Sequence, residues 1–223
     1  MPTILIADDH PLFREALRGA VAALLPDAEI VEAENADDLF AAADAHPHAD
    51  LLLMDLGMPG AHGFSALVHL RAAQPQLPVV VVSAREDPPT MRRALDHGAA
   101  GFIPKSADTA SIHAGIRAVL DGDTWAPPQT AGAAGIGPEE AEIAQRIREL
   151  SPQQYRVLSM LGAGLLNKQI AYAMDVSEAT VKAHMTAVLR KLGASNRTQA
   201  VLLAGRLSLD GISIPEGGHE DEG

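Results

Sequence analysis

The segment ILIADDHP at residues 4–11 sets four apolar residues directly before a pair of aspartates. The same order returns in LLLMDLGMPG at residues 51–60, where four apolar residues precede Asp55. Short apolar runs bounded by polar and turn-forming residues are typical of buried strands. Five such runs are predicted to be strands: Ile4–Ala7, Ile30–Ala33, Leu51–Met54, Val79–Ser83 and Gly101–Ile103.

Longer amphipathic segments separate and follow these strands. They are predicted to be helices: Pro11–Leu24, Asp37–Ala45, Phe64–Gln74, Thr90–His97 and Thr109–Leu120. Strands that alternate with helices favour a parallel sheet covered by helices on both faces. Residues 1–125 are therefore predicted to form an α/β domain with a five-stranded parallel sheet. Such sheets bind ligands at the carboxyl ends of their strands.

Charged and hydroxyl side chains follow these predicted strand ends. Asp8, Asp9 and Asp55 would repel one another at one sheet edge unless a cation neutralised them. Mg²⁺ suits such a set because it prefers carboxylate oxygens and leaves positions for water or phosphate. Ser83 and Lys105 would supply a hydroxyl and a positive charge for an oxyanion beside the metal. The predicted chemistry is phosphoryl transfer onto a carboxylate.

Four motifs, in this order and spacing, resemble the receiver domain of bacterial two-component response regulators: ILIADDHP, LLLMDLGMPG, VVVVSA and GFIPK. The resemblance covers about residues 1–125 and implies a flavodoxin-like (βα)5 fold in which Asp55 is the phosphoacceptor. The Mg²⁺ ligands that it implies are Asp8, Asp9, Asp55 and the backbone carbonyl of Gly57. The switch and phosphate-binding residues that it implies are Ser83, Phe102 and Lys105.

Three other functions compete for this domain. A Mg²⁺-dependent aspartyl phosphatase of the haloacid dehalogenase type needs a second acid two residues after its nucleophile, where Gly57 stands. A flavodoxin-like nucleotide-binding domain needs a phosphate-cradling loop after the first strand, where Asp8 and Asp9 would repel phosphate. A pseudo-receiver, gated by something other than phosphate, is the remaining rival, and the complete acidic set argues against it.

Composition excludes several classes of protein. The 223 residues contain no cysteine, which excludes disulfides, thiolate zinc sites and thiol catalysis. The N-terminus turns acidic after a few residues and does not resemble a signal peptide. The longest apolar runs are far shorter than the roughly 20 residues of a membrane helix. We therefore expect a soluble, cytoplasmic protein with no membrane partner.

The net charge of −12 is unevenly distributed. Residues 1–125 carry a net charge of −10, whereas 150–210 carry +4 and are the only segment that favours a polyanion. Between them, Ala126–Pro138 consists largely of proline, glycine and alanine, which indicates a linker. The predicted divisions are a domain at 1–125, a linker at 126–148, a domain at 149–210 and an acidic, disordered tail at 211–223.

The basic segment carries the signals of four short helices. Ser151, Pro152 and Gln154 form a helix start with a capping box. A second helix is predicted from about Asn167 to Met174, and a tight turn then leads to a third helix and a fourth. The caps of these last two helices are predicted to be Ser177 and Asn196. Short helices joined by a tight turn, with small and basic residues facing outward, are typical of a helix-turn-helix domain.

The segments LSPQQYRVL, NKQIA and VSEATVKAHMTAVLRKLGASNRTQAV resemble the LuxR-type DNA-binding domain over about residues 148–210. The resemblance implies base-facing positions at Lys182, Ala183 and Thr186. The residues that it implies for contacts with the DNA backbone are Lys168, Thr180, Arg190, Lys191, Asn196 and Arg197.

Together the two halves resemble a NarL/FixJ-family response regulator. This resemblance implies a transcription factor, not an enzyme, whose only chemistry is self-phosphorylation and slow autodephosphorylation of Asp55. Its implied partners are a sensor histidine kinase, double-stranded operator DNA, RNA polymerase and a second copy of the chain when phosphorylated. We further expect the acidic receiver to dock near the third helix of the basic domain and restrain DNA binding until Asp55 is phosphorylated.

Overall fold

The computed structural model describes residues 1–209, so the predicted tail at 211–223 lies outside the described residues. Five parallel strands form one sheet in the order β2-β1-β3-β4-β5. The strands are β1 Thr3–Ala7, β2 Glu29–Ala33, β3 Leu51–Asp55, β4 Val79–Ser83 and β5 Gly101–Pro104. This sheet confirms the predicted fold class. The strand order reverses between β1 and β3, which is where such a sheet opens a crevice at its carboxyl edge.

Helices cover both faces of the sheet. They are α1 Pro11–Leu24, α2 Ala36–Ala45, α3 Phe64–Ala73, α4 Pro88–Asp96 and α5 Thr109–Leu120. In β1, Ile4 and Ile6 pack with α1 and α5, whereas Leu5 and Ala7 pack with α2, α3 and α4. Successive side chains of a strand point to opposite faces, so a strand buried on both faces has to be apolar throughout.

The C-terminal part of the chain is helical, as predicted. Its helices are α6 Pro138–Arg148, α7 Pro152–Gly162, α8 Asn167–Ala173, α9 Glu178–Leu192 and α10 Arg197–Gly205. The capping box of Ser151 and Gln154 is present, and Ser177 and Asn196 cap α9 and α10 through their side chains. These caps were predictable because each one depends only on residues within one helical turn.

Helix α6 lies inside the stretch that we predicted to be a linker. It begins with Pro138 and has two glutamates in its first turn, both of which favour a helix start. Its buried residues Ile143 and Ile147 stand four apart and therefore lie on one face. That spacing is the sequence signal for α6, and the proline- and glycine-rich residues just before it obscured the signal. The predicted division at 126–148 remains a prediction.

Helix α3 is buried on nearly all sides: every residue from 64 to 70 is buried. The sheet covers one side of α3, and α6 and α7 cover the other, so that apolar residues of both halves join a single core. Within this core Tyr155 of α7 is only 1% exposed. The two halves of the chain therefore pack against each other through an extensive apolar contact.

Candidate acidic site and nucleic-acid interface

Three carboxylates meet at the carboxyl ends of β1 and β3. Asp8 and Asp9 follow β1 and Asp55 ends β3, and these two strands pair directly. One ligand atom from each carboxylate, together with one from His10, lies within 4.8 Å of all the others. Asp8 and Asp55 are buried, whereas His10, the N-cap residue of α1, is exposed. The structure therefore brings together the acidic residues that the sequence predicts.

Lys105, just after β5, reaches into this acidic group. Its Nζ atom lies 2.9 Å from Asp55 Oδ2 and 2.7 Å from Asp8 Oδ2. Burial by itself lowers the pKa of Lys105, but the hydrogen bonds and negative charges of Asp8 and Asp55 outweigh burial and raise the pKa above its usual value. Lys105 is therefore a permanent cation at the edge of the site.

The donor set fits Mg²⁺. Two buried oxygens, Asp8 Oδ2 and Asp9 Oδ1, accept no hydrogen bond of good geometry among the described residues, although Lys105 Nζ lies 2.7 Å from the first and His10 Nδ1 lies 2.9 Å from the second. Under-satisfied carboxylate oxygens at close range are what a hard divalent cation requires. Asp55 Oδ1 accepts a hydrogen bond from the backbone N–H of Gly57 at 3.0 Å. A side chain at Gly57 would begin 3.5 Å from Asp55 Oδ2, so glycine leaves the approach to Asp55 open.

The predicted switch residues lie on the two strands next to β3. Ser83, at the end of β4, is buried, and its Oγ accepts a hydrogen bond from the backbone N–H of Arg85 at 3.1 Å. Phe102 on β5 is fully buried in the same core as Met91 and Ala94 of α4. Ser83 is tied to the loop before α4, and Phe102 packs against α4 itself. The switch roles of both residues remain predictions.

Helix α9 presents the predicted base-facing residues to solvent. Lys182, Ala183, Thr186 and Arg190 are exposed, whereas Val181, Met185 and Val188 are buried. Thr186 Oγ1 donates to the Lys182 carbonyl at 3.0 Å within the helix. An exposed face that combines small and basic side chains can enter a major groove.

The residues predicted to touch the DNA backbone divide into two groups. Lys168 and Arg190 are exposed, and Thr180 lies in the first turn of α9. The others are held within the domain. Lys191 Nζ donates to the Glu149 carbonyl and to Gln154 Oε1, both at 2.7 Å. Arg197 Nη2 donates to the Leu165 carbonyl at 3.0 Å, and Asn196 caps α10. These contacts give Lys191, Asn196 and Arg197 a structural role in addition to the predicted one.

The chain matches two families. The response regulator receiver domain matches residues 4–117, and the LuxR family of bacterial regulatory proteins matches residues 148–204. A glycerol metabolism activator of Pseudomonas putida is 40% identical over 211 residues, which cover 92% of this chain and 96% of that protein. A probable transcriptional regulatory protein NarL of Mycobacterium tuberculosis is 35% identical over 217 residues, with 92% and 94% covered. The chain is a NarL/FixJ-family response regulator.

The fold is also that of a solved response regulator. RcsB of Salmonella enterica serovar Typhimurium, bound to promoter DNA in the presence of a phosphomimetic beryllium fluoride, superposes with a TM-score of 0.54 at 22% identity. The superposition covers 93% of this chain and 99% of RcsB. The two family matches and the curated relatives show that this response regulator consists of a receiver domain and a LuxR-type DNA-binding domain and regulates transcription. Within residues 1–209, none of its helices is long and apolar enough to cross a bilayer.

The loop that follows Asp55 touches the LuxR-type domain directly. Ser159 Oγ of α7 donates to the Gly60 carbonyl at 2.8 Å, and His62 Nε2 lies 2.8 Å from the Ser159 carbonyl. Beside this loop, Ser65 Oγ lies 3.0 Å from the Tyr155 hydroxyl. Burial raises the pKa of the Tyr155 phenol, so this hydroxyl stays neutral. The acidic site and the LuxR-type domain are thus joined through one short loop.

Charged side chains also join the receiver to α6 and α7. Glu140 of α6 lies 2.8 Å from Arg93 Nη2 and 2.7 Å from His97 Nε2, both from the receiver. Burial raises the pKa of Glu140, but hydrogen bonds from His97 and Arg93 outweigh it and lower the pKa below its usual value. Arg156 Nε of α7 lies 2.9 Å from Asp37 Oδ1 of α2. Sequence reasoning missed these interface residues because no local pattern links positions so far apart along the chain.

The arrangement of the domains differs from our expectation in one respect. We expected the acidic receiver to dock near the third helix of the basic domain, which is α9. Instead it packs against α6, α7 and the end of α10, where the Leu207 carbonyl accepts from the Phe64 N–H at 2.8 Å. The side of α9 that carries the predicted base-facing residues is left exposed. The apolar faces of α6 and α7 explain this difference, because their burial stabilises docking more than screened surface charge does.

Proposed function

We propose that a partner histidine kinase phosphorylates this response regulator on Asp55, and that phosphorylation changes how it associates and binds operator DNA. The observation that carries this proposal is the convergence of Lys105 Nζ and the acidic group on Asp55, with Lys105 Nζ 2.9 Å from Asp55 Oδ2. A nucleophilic carboxylate beside a fixed cation and a set of metal-binding oxygens suits phosphoryl transfer.

In the proposed reaction the Asp55 carboxylate attacks the phosphorus of a phosphohistidine on the kinase. A P–O bond forms while the P–N bond breaks, and the imidazole leaves with the electron pair and is protonated. Lys105 then pairs with an oxygen of the new acyl phosphate, because that group carries the negative charge that the Asp55 carboxylate gives up. Asp8, Asp9, Asp55 and the Gly57 carbonyl would hold Mg²⁺, which would supply positive charge for the phosphoryl oxygens.

We propose that the response to phosphorylation passes through Ser83 and the loop after it. Ser83 Oγ accepts a hydrogen bond from the backbone N–H of Arg85, and Arg85 Nη1 donates to the Leu209 carbonyl at 3.3 Å. If the Ser83 hydroxyl moves toward the phosphoryl group, this loop shifts and loosens its hold on the segment after α10. Phe102 would follow that movement as the switch aromatic ring. The LuxR-type domain would then be released from the receiver.

Release from the receiver would allow two LuxR-type domains to bind DNA as a pair. The base-facing side of α9 is already exposed, so docking leaves the reading face free and instead fixes the orientation of each domain. A phosphorylated receiver dimer would hold two freed domains close together and raise their affinity for two half-sites through effective concentration. Double-stranded operator DNA and RNA polymerase are the proposed partners, which implies a cytoplasmic location. Beyond its own phosphorylation and dephosphorylation, we propose no catalytic activity.

The decisive experiment is intact-mass spectrometry of the full-length protein with acetyl phosphate and Mg²⁺. We expect wild type to gain one phosphoryl group, whereas Asp55→Asn gains none. Asp50→Asn is a matched control, because Asp50 is exposed and lies just before β3. Chelation of Mg²⁺ should stop labelling of both wild type and the control. Labelling of Asp55→Asn to the wild-type extent would refute the assignment, and no labelling of wild type would favour a pseudo-receiver.

A further inference from the structure

Arg14 of α1 is a buried cation beside the acidic site. Because it lies on a helix and not at a strand end, the strand-end pattern does not predict it. Its side chain is 9% exposed, and its guanidinium group makes three charge-assisted contacts. Nε lies 3.1 Å from Glu32 Oε2, and Nη2 lies 2.6 Å from Glu34 Oε1. The third donor, Nη1, points toward the site and donates to the backbone carbonyl of Asp8 at 2.7 Å.

That carbonyl belongs to the peptide between Asp8 and Asp9. Because a peptide unit is planar, a fixed Asp8 carbonyl also fixes the direction in which the chain leaves toward Asp9. On the other side of Asp8, its backbone N–H is held by the Ala33 carbonyl at 3.1 Å, and its Oδ1 accepts from the His10 N–H at 2.8 Å. Arg14 thus completes the set of bonds that orients this turn.

The charge of Arg14 has little direct influence on the acidic site. Glu32 and Glu34 both contact the guanidinium group, so the field of Arg14 is largely cancelled before it reaches the carboxylates of the site. Its effect must come from hydrogen-bond geometry. A guanidinium group can hold two carboxylates and a carbonyl at once because its five donors form a rigid, planar fork, which a lysine ammonium cannot reproduce.

We infer that Arg14 is a positioning residue for the cation site: it fixes the Asp8–Asp9 peptide so that the Asp9 carboxylate faces Asp55. This inference rests on the proposed function, because it takes the acidic group to be the site of Mg²⁺. Groups that orient metal ligands without touching the metal typically change affinity about 10–100-fold when they are removed. An arginine that only tied α1 to β2 would change the stability of the fold and leave metal affinity unchanged.

The test is a Mn²⁺ titration of the full-length protein, in which the electron paramagnetic resonance signal reports free Mn²⁺ as a spin-active substitute for Mg²⁺. We expect Arg14→Met to raise the dissociation constant about 10-fold or more, and Arg14→Lys to raise it less. Arg18→Met is the matched control. Arg18 lies on the same helix and pairs with the same Glu32 at 3.2 Å, but its side chain is 64% exposed. Its loss should change the dissociation constant by less than about twofold.

Asp9→Asn distinguishes an error about the cation site from an error about the role of Arg14. If Asp9→Asn does not weaken Mn²⁺ binding, the ion is not in the acidic site, and the proposed function fails together with this inference. If Asp9→Asn weakens binding but Arg14→Met binds as tightly as wild type, only the role of Arg14 is wrong. Should Arg14→Met fail to fold in a thermal melt, Arg14→Lys decides the matter, because it keeps the charge and the apolar stem. Wild-type affinity of a folded Arg14→Lys would then overturn the inference.

Discussion

The imidazole of His69 stacks face to face on the phenol ring of Tyr155, with ring centroids 4.3 Å apart and an interplanar angle of 5°. His69 belongs to α3 of the receiver and Tyr155 to α7 of the LuxR-type domain. Phe40 of α2 meets both rings edge to face, at 5.6 Å from His69 and 5.3 Å from Tyr155. This aromatic group joins the two domains, and it includes a side chain whose charge depends on pH.

We predict that acidification destabilises the docked structure through His69. Burial lowers the pKa of His69 from 6.5 to about 4 in the folded protein. Below pH 6.5 the unfolded or undocked chain takes up a proton that the folded chain does not, so stability falls as the pH drops toward 4. Between pH 7 and pH 5 this one group should remove about 2 kcal/mol from the free energy of unfolding.

The measurement is urea unfolding of wild type and His69→Phe at pH 7, 6 and 5. Phenylalanine keeps a ring on Tyr155 and cannot be protonated, so the stability of the variant should depend less steeply on pH. His48→Gln serves as the control, because His48 is exposed. Equal slopes for wild type and His69→Phe would show that His69 does not carry this dependence.

A second prediction concerns the pair of Arg156 and Asp37, which lie 2.9 Å apart across the domain contact. Arg156→Glu places two negative charges together, and the domains should separate more often. Because the pair is partly exposed, we expect the free energy of domain docking to fall by about 1 kcal/mol. This corresponds to a rise of about fivefold in the population of the open form, in which the two domains are separated. Limited proteolysis between α5 and α6 would measure this population as a cleavage rate.

The charge swap gives this prediction its control. Arg156→Glu combined with Asp37→Arg restores opposite charges at the same two positions and should return cleavage toward the wild-type rate. If the double variant is cleaved as fast as Arg156→Glu alone, repulsion between these two residues is not the cause of opening.

A third prediction separates base recognition from structural support in the LuxR-type domain. Lys182 is exposed on α9, so Lys182→Ala should cost about 1–3 kcal/mol on a preferred DNA site and little on random DNA. Lys191 instead donates hydrogen bonds to the Glu149 carbonyl and to Gln154 Oε1. Lys191→Ala should therefore lower the free energy of unfolding of the domain by about 1 kcal/mol, in addition to any loss of DNA affinity.

These effects can be measured with a preferred site that wild type selects from a random DNA library, at one fixed salt concentration, and with thermal melts of each variant. Equal losses of affinity on both DNAs would assign Lys182 to phosphate contacts. An unchanged melting temperature for Lys191→Ala would argue against its structural role.

A fourth prediction concerns Ser83, which we place in the relay. Ser83→Ala should be labelled by acetyl phosphate like wild type, because Asp55 and Lys105 are unaltered. Its phosphorylation-dependent association should be reduced, since the hydroxyl that would follow the phosphoryl group is missing.

Light scattering coupled to gel filtration measures this association. Ser106→Ala is the control, because Ser106 pairs with Glu86 outside the acidic site. Full association of phosphorylated Ser83→Ala would remove Ser83 from the relay.

The sequence alone was sufficient to predict the sheet and the acidic site. Apolar runs such as Leu51–Met54 specify buried strands through local periodicity, and the topology of a parallel sheet then brings Asp8, Asp55 and Lys105 to one edge. The helix caps of the LuxR-type domain were predictable for a similar reason, since Ser177 and Asn196 bond to backbone groups within one turn.

Only the tertiary structure decided how the two domains meet and what supports the acidic site. The stacking of His69 on Tyr155, the burial of α3 beneath α6 and α7, and the reach of Arg14 to the Asp8 carbonyl all join separate elements. No periodicity or cap specifies such contacts. They depend on the fit between apolar surfaces and on which buried polar groups find partners, and both are settled only when the whole core packs at once.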